Sequence, residues 1–100
     1  MYTKPDYWAR LISQDSDQKD IHFSLQPNQP NEFRFRNQWR VYQIPHDATT
    51  KIVNISAPYL KLNDSWLQIN QEQTLNNGDR ITFDQRLSGR FDYMFVLMEM

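Results

Sequence analysis

Apolar residues in this chain recur at every second position in short runs, and nowhere does a helical spacing persist for three turns. That alternation constrains the fold more than any other property, because a pleated strand shows successive side chains to opposite faces. The clearest run follows Asn77-Gly78. Gly tolerates positive φ, Asn tolerates it better than most, and the pair is a strong short-range turn signal. Beyond it Ile81 and Phe83 alternate with Arg80 and Thr82, which predicts a half-buried strand over 80–83. Asp79, directly after the Gly, is expected to accept hydrogen bonds from N–H groups of the turn.

The same alternation sets Ile21, Phe23 and Leu25 on one face, and turns Phe33 and Phe35 inward with Arg34 and Arg36 outward. Further strands are predicted over 7–12, over 39–44 (stopped by Pro45, which cannot donate to a ladder), and over 52–55, 59–62, 66–69 and 91–98. Ser13 to Asp20, the Pro/Asn stretch 27–31, Asn63-Asp64-Ser65 and Leu87-Ser88-Gly89-Arg90 read as loops, and Thr74-Leu75 as polar chain leading into the Asn-Gly turn. About nine short strands separated by such clusters predict an all-β sandwich or barrel of mostly antiparallel strands. No repeat or linker divides the chain, so 1–100 reads as one domain with its core over about 8–98.

Composition narrows the function classes. A chain of 100 residues hides roughly two thirds of its unfolded surface, enough for one core. Its 39% hydrophobic and 14% aromatic content supports a packed interior rather than disorder. Eleven Lys and Arg against twelve Asp and Glu give a net charge of −1, which provides no long-range field for nucleic acid or an anionic membrane. Cysteine is absent, which excludes disulfides, thiolate metal sites and a Cys nucleophile. No apolar run approaches a signal peptide or the ~20 residues of a membrane span, and a cytoplasmic location is expected.

The Leu75-to-Phe83 passage resembles the "L-x-x-G-D-x-I-x-F" closing segment of the forkhead-associated (FHA) domain, a phosphothreonine-reading β-sandwich. Phe23-Ser24-Leu25-Gln26-Pro27 is similar to that family's "f-x-L-x-P" strand. Its "hydrophobic-Gly-Arg" falls at Phe33-Arg34-Phe35-Arg36, with an Arg but no Gly. Tyr42 to Val53 resembles "I-x-(I/L)-p-d-x-x-(V)-S-R-x-H", with Thr50 in place of the phosphate-binding Ser, Lys51 in place of the Arg and Val53 in place of the bracing His. Asn63 to Asn70 resembles "S-x-N-G-T-x-(V)-N" in its final hydrophobic-Asn pair and lacks Asn-Gly-Thr. The resemblance implies an FHA-like sandwich, a non-enzymatic interaction module, and a protein partner bound largely without phosphothreonine.

Arg34, Arg36 and Arg40 with Lys51, Thr49 and Thr50 are the candidate phosphate or peptide ligands, since an Arg fork, a Lys and hydroxyls bind phosphate by charge-assisted hydrogen bonds. Outward Arg on a strand equally fits a solvated face or an edge guard. Trp66, beside a turn, is a candidate docking anchor. The last strand is apolar on both sides, with Met94, Val96, Met98 and Met100 opposite Phe91, Tyr93, Phe95 and Leu97. It is either a central strand buried twice or a strand whose adaptable Met face, led by Met94 and Met98, docks a partner.

His46-Asp47 lacks a placed nucleophile and an oxyanion hole, so no catalytic residue is assigned. With His22 and His46 as the only histidines, no metal site is expected and no cofactor is implied. Alternative readings are a weak phosphothreonine-peptide reader using Arg36 or Arg34 with Thr50 and Lys51, a small immunity or inhibitor protein, and an oligonucleotide-binding barrel. The Arg34-to-Arg40 run interleaves bases with aromatics, but near-zero charge and inward Phe33 and Phe35 argue against nucleic acid.

Overall fold

A computed structural model describes residues 6–15, 17–84 and 89–98. Among them ten strands form two antiparallel sheets. The six-stranded sheet runs β2 (Ile21–Ser24), β1 (Tyr7–Ser13), β10 (Arg90–Leu97), β9 (Arg80–Asp84), β6 (Leu60–Leu62), β7 (Ser65–Trp66). The four-stranded sheet runs β3 (Glu32–Phe35), β4 (Trp39–Gln43), β5 (Thr50–Asn54), β8 (Glu72–Thr74). The two sheets form a sandwich with open edges, which corrects the oligonucleotide-barrel alternative.

Alternation builds the core. Trp39 and Val41 from β4, Ile52 from β5, Ile81 and Phe83 from β9, and Tyr93 and Phe95 from β10 are all buried. Aromatic rings tie the two sheets together. Phe23 stacks on Phe33 with ring centroids 4.1 Å apart, and Trp39 meets Phe83 edge-on at 5.0 Å. Such pairs add to the burial of their area. A register shift between Tyr7 and Ala9 marks a bulge in β1, where the consecutive residues Trp8 and Ala9 are both buried.

One strand prediction needs correction, and one strand was not predicted. The run over 66–69 contributes only Trp66 to a strand, because the chain turns away to Asn70, whose φ is 71°. Glu72–Thr74 forms the edge strand β8, which carries no apolar alternation to betray it. Of the Leu87-to-Arg90 turn, Leu87 and Ser88 lie outside the described residues, as does Met100.

The Asn-Gly turn is held as expected. Asp79 accepts from the Asn76 N–H at 2.8 Å, and Gly78 stands at φ 87°. No atom lies within 4 Å of where a Cβ would sit at Gly78. Gly78→Ala is therefore expected to cost about 1–2 kcal/mol through backbone strain alone, read as a lower urea midpoint at unchanged slope.

Candidate functional site

One surface groove is built outward from a buried amide. The alternation Thr50-Lys51-Ile52-Val53-Asn54 turns Asn54 inward, and it is 1% exposed. Its Nδ2 donates to the carbonyls of Ala57 at 3.0 Å and Leu67 at 2.7 Å, while its Oδ1 accepts from the Ala57 N–H at 2.8 Å. Its backbone N–H donates to the Gln71 carbonyl, and its own carbonyl accepts from the Asn70 N–H. One residue thus fastens the β5–β6 loop to the β7–β8 loop. The β3–β4 turn joins them: the N–H groups of Ile55 and Ser56 donate to the Gln38 carbonyl, and Ser56 Oγ donates to the Asn37 carbonyl at 2.7 Å.

The β5–β6 and β7–β8 loops, with Trp66, line a groove of ≈ 530 Å³ formed by Ala57, Pro58, Trp66, Leu67, Gln68 and Ile69. Ala57 and Leu67 are buried, whereas Trp66 is 53% and Ile69 52% exposed. Tyr59 meets Trp66 edge-on at 4.7 Å, and Lys61 holds its Nζ 4.8 Å from the Trp66 ring centre. Arg90 lies over Tyr59 and is bonded to Asp84 at 2.9 Å. Large apolar side chains held at the surface by saturated loops suit a docking site, since the surrounding backbone is already ordered before binding.

The cations named from sequence do not converge. Arg34 and Arg40 are cross-strand partners, and each reaches Glu32 at 3.8 Å. Arg40 also covers the Tyr42 ring, and Lys51 donates to Thr74 Oγ1 at 3.0 Å. They lie on the solvent-facing side of the four-stranded sheet, each held by a neighbour on that face. Arg36 sits apart, at φ 52° in the β3–β4 turn, with its guanidinium 5.0 Å from the Phe35 ring centre.

Thr49 and Thr50 stand at the far end of β5. Register runs from Trp39↔Asn54 to Gln43↔Thr50, about 13 Å of strand. Thr50 is buried at 4% exposure. Thr49 donates its N–H to Asp47 Oδ1, and this backbone hydrogen bond, followed by one from the Thr49 side chain, holds the Asp47 carboxyl below its ordinary range.

On the same sheet face Tyr42 donates its hydroxyl to Glu72, and this bond, with a smaller effect of burial, raises the phenol above its usual pKa. The bond stabilises the fold below the ordinary phenol value of about 10 and is lost as pH rises through the folded value. Stability is expected to fall less between about pH 9 and 11 in Tyr42→Phe than in the parent, as read by urea titration.

On β10, Tyr93 and Phe95 enter the core, whereas Met94, Val96 and Met98 are half-buried on the other face. Met94 lies opposite Ile12 and Arg80, and Val96 opposite Arg10. Trp66 shares that sheet but stands three strand steps away, about 14 Å. The docking candidates are therefore two separate places. Sequence reasoning missed Asn54, Pro58 and Ile69; a polar residue at the inward position after Ile52 was the available signal for Asn54. Among the described residues no three His, Asp or Glu side chains are grouped to hold a metal ion.

No protein-family model and no curated protein matches this sequence. Solved structures do. An engineered FHA with a Myc-pTBD peptide superposes with a TM-score of 0.71 at 17% identity, covering 95% of this chain and 94% of that one. The N-terminal FHA domain of S. cerevisiae Rad53p, in complex with a phosphothreonine peptide, gives 0.71 at 14% identity over 91% and 94%. Rad53 1-466 in complex with AMP-PNP gives 0.73 at 15% identity, with 99% of this chain matching 31% of that one. Strand order, the paired sheets and these superpositions agree: the chain has the fold of the FHA domain.

Proposed function

We propose that this chain is a non-enzymatic interaction module, an adaptor or scaffold of FHA fold, that docks a protein segment in the groove around Trp66 and Ile69 largely without phosphothreonine. The observation that carries the reading is the contrast between two places. The groove is apolar, exposed and fastened from beneath by Asn54. The hydroxyls and cations that would hold a phosphate are spread over a sheet face, a turn and the opposite end of β5.

The family motif supports it once its register is adjusted. "S-x-N-G-T-x-(V)-N" describes a turn, a short strand and a closing Asn. Asn63–Asn70 does not fit that description, because it starts on a hairpin turn and leaves the sheet after Trp66. Ser56-Ala57-Pro58-Tyr59-Leu60-Lys61-Leu62-Asn63 does fit, with β6 on the strand positions and Asn63 opening the next turn. Pro58-Tyr59-Leu60 then replace Asn-Gly-Thr. A loop that in the family fixes the ligand backbone becomes, here, one wall of an apolar groove.

One observation favours the phosphothreonine reading: Arg36 stands on the turn bonded to Ser56 and has no ion pair among the described residues. Fluorescence anisotropy with matched degenerate peptide libraries separates the two. Equal affinity, within about twofold, for threonine and phosphothreonine libraries is expected. A preference of tenfold or more for the phosphorylated one contradicts the proposal.

A further inference from the structure

We infer that the segment seated in the Trp66–Ile69 groove is an acidic, unphosphorylated peptide, with an apolar side chain against Pro58, Trp66 and Ile69 and carboxylates facing Lys61 and Arg36. The inference rests on the docking reading above and adds the chemistry of the partner.

Charge bookkeeping around the groove carries it. None of the six lining residues is charged. Four arginines of the described residues have carboxylate partners: Arg34 and Arg40 share Glu32, Arg80 holds Asp64, and Arg90 holds Asp84. Lys61 and Arg36 have no ion pair among the described residues; Lys61 stands against a lining ring, and Arg36 is on the turn bonded to the loop that leads into the groove. Lys61 lies 4.8 Å from the centre of the Trp66 ring, and Arg36 belongs to the turn whose Asn37 carbonyl receives Ser56 Oγ. Arg10, Lys19 and Lys51, also without ion pairs, belong to β1, the loop after it and β5, where Lys51 is bonded to Thr74.

An apolar floor with one cation that lacks a carboxylate partner at its wall, and a second on the adjoining turn, complements a segment of opposite pattern, an apolar anchor flanked by Asp or Glu. A basic segment meets like charge there. A second copy docking symmetrically brings its own Lys61 and Arg36 to the same place and is disfavoured for the same reason. Two cations on a chain of net charge −1 are too few to track a nucleic-acid backbone.

The partner's carboxylates sit at the rim, so they are expected to tune affinity and salt dependence, with the apolar anchor supplying most of the binding. The test is selection from a phage-displayed library of random, unphosphorylated 12-residue peptides. Wild type is expected to enrich Asp or Glu within about three positions of an aliphatic or aromatic residue. Synthetic winners are expected to weaken roughly fivefold to thirtyfold on Lys61→Gln or Arg36→Gln, with a flatter salt dependence.

Trp66→Ala is expected to enrich none of these sequences. Winners that are neutral or basic, or that bind Lys61→Gln as well as wild type, overturn the acidic assignment and leave the docking site in place. No enrichment by wild type, with capture of a phosphothreonine library instead, overturns both. Thermal melts of each variant check that the fold is retained, so a loss is assigned to the surface.

Discussion

Asn54→Asp is expected to destabilise the fold by about 3–5 kcal/mol, more than any other single-atom change considered for this chain. The substitution keeps the shape of the side chain and the acceptor for the Ala57 N–H. It replaces the donor shared by the Ala57 and Leu67 carbonyls with an oxygen, at a residue 1% exposed. Two hydrogen bonds become repulsions, and each buried group left without a partner costs about 1–3 kcal/mol. Against a total stability of about 5–15 kcal/mol, that is a large fraction.

The pH dependence identifies the cause. Burial among carbonyls raises the pKa of the new carboxyl, so the variant recovers part of its stability as pH falls and the protonated acid donates one bond again. Urea midpoints between about pH 7 and 4 measure it. Amide exchange is expected to speed up first in the 55–59 and 67–71 loops, which Asn54 fastens. A variant as stable as the parent at neutral pH contradicts the assigned role.

Trp66→Ala is expected to weaken partner binding by about 2–4 kcal/mol, thirtyfold or more in Kd, while changing stability by less than about 1 kcal/mol. The asymmetry follows from exposure: Trp66 shows 53% of its surface to solvent, so folding gains little from it and a partner can gain much. Tyr59 and Lys61, which contact its ring, keep their places on the loop before β6 and on β6 itself. Ile69→Ser is expected to act in the same direction with a smaller effect. Met94→Ala, on a different part of the sheet, is expected to leave affinity unchanged. Affinities from anisotropy, read beside thermal melts, separate a docking anchor from a structural residue. If Met94→Ala costs more than Trp66→Ala, the docking surface lies on the Met face instead.

What the sequence made legible follows from which signals are local. Ile81 and Phe83 after Asn77-Gly78 gave the β9 strand and its turn because alternation and turn chemistry are both written in consecutive residues. Phe33 and Phe35 point inward for the same reason. β8 was invisible because Glu72-Gln73-Thr74 is an edge strand held by backbone bonds to β5, and backbone bonds leave no mark on side-chain pattern.

The candidate site was legible only in part. Trp66 was found from residue type beside a turn. Arg36, Thr50 and Lys51 were grouped by motif spacing, yet spacing cannot tell that β5 carries Thr50 inward and to the end of the sheet away from Arg36. The place of "S-x-N-G-T-x-(V)-N" is ambiguous in sequence for a related reason: two hydrophobic-Asn pairs, Leu62-Asn63 and Ile69-Asn70, compete for it, and of the two only Leu62-Asn63 closes a strand, Leu60–Leu62.

Backbone amide NMR spectra recorded during titration with matched threonine and phosphothreonine peptide libraries decide whether partners bind at the Asn54-fastened groove without phosphate. The same shifts with both libraries, concentrated at Ala57 and from Trp66 to Ile69, together with the Trp66 indole N–H, are expected of phosphate-independent docking there. Shifts that occur with the phosphorylated library alone and centre on Arg34 to Arg36 or Thr49 to Lys51 would contradict it.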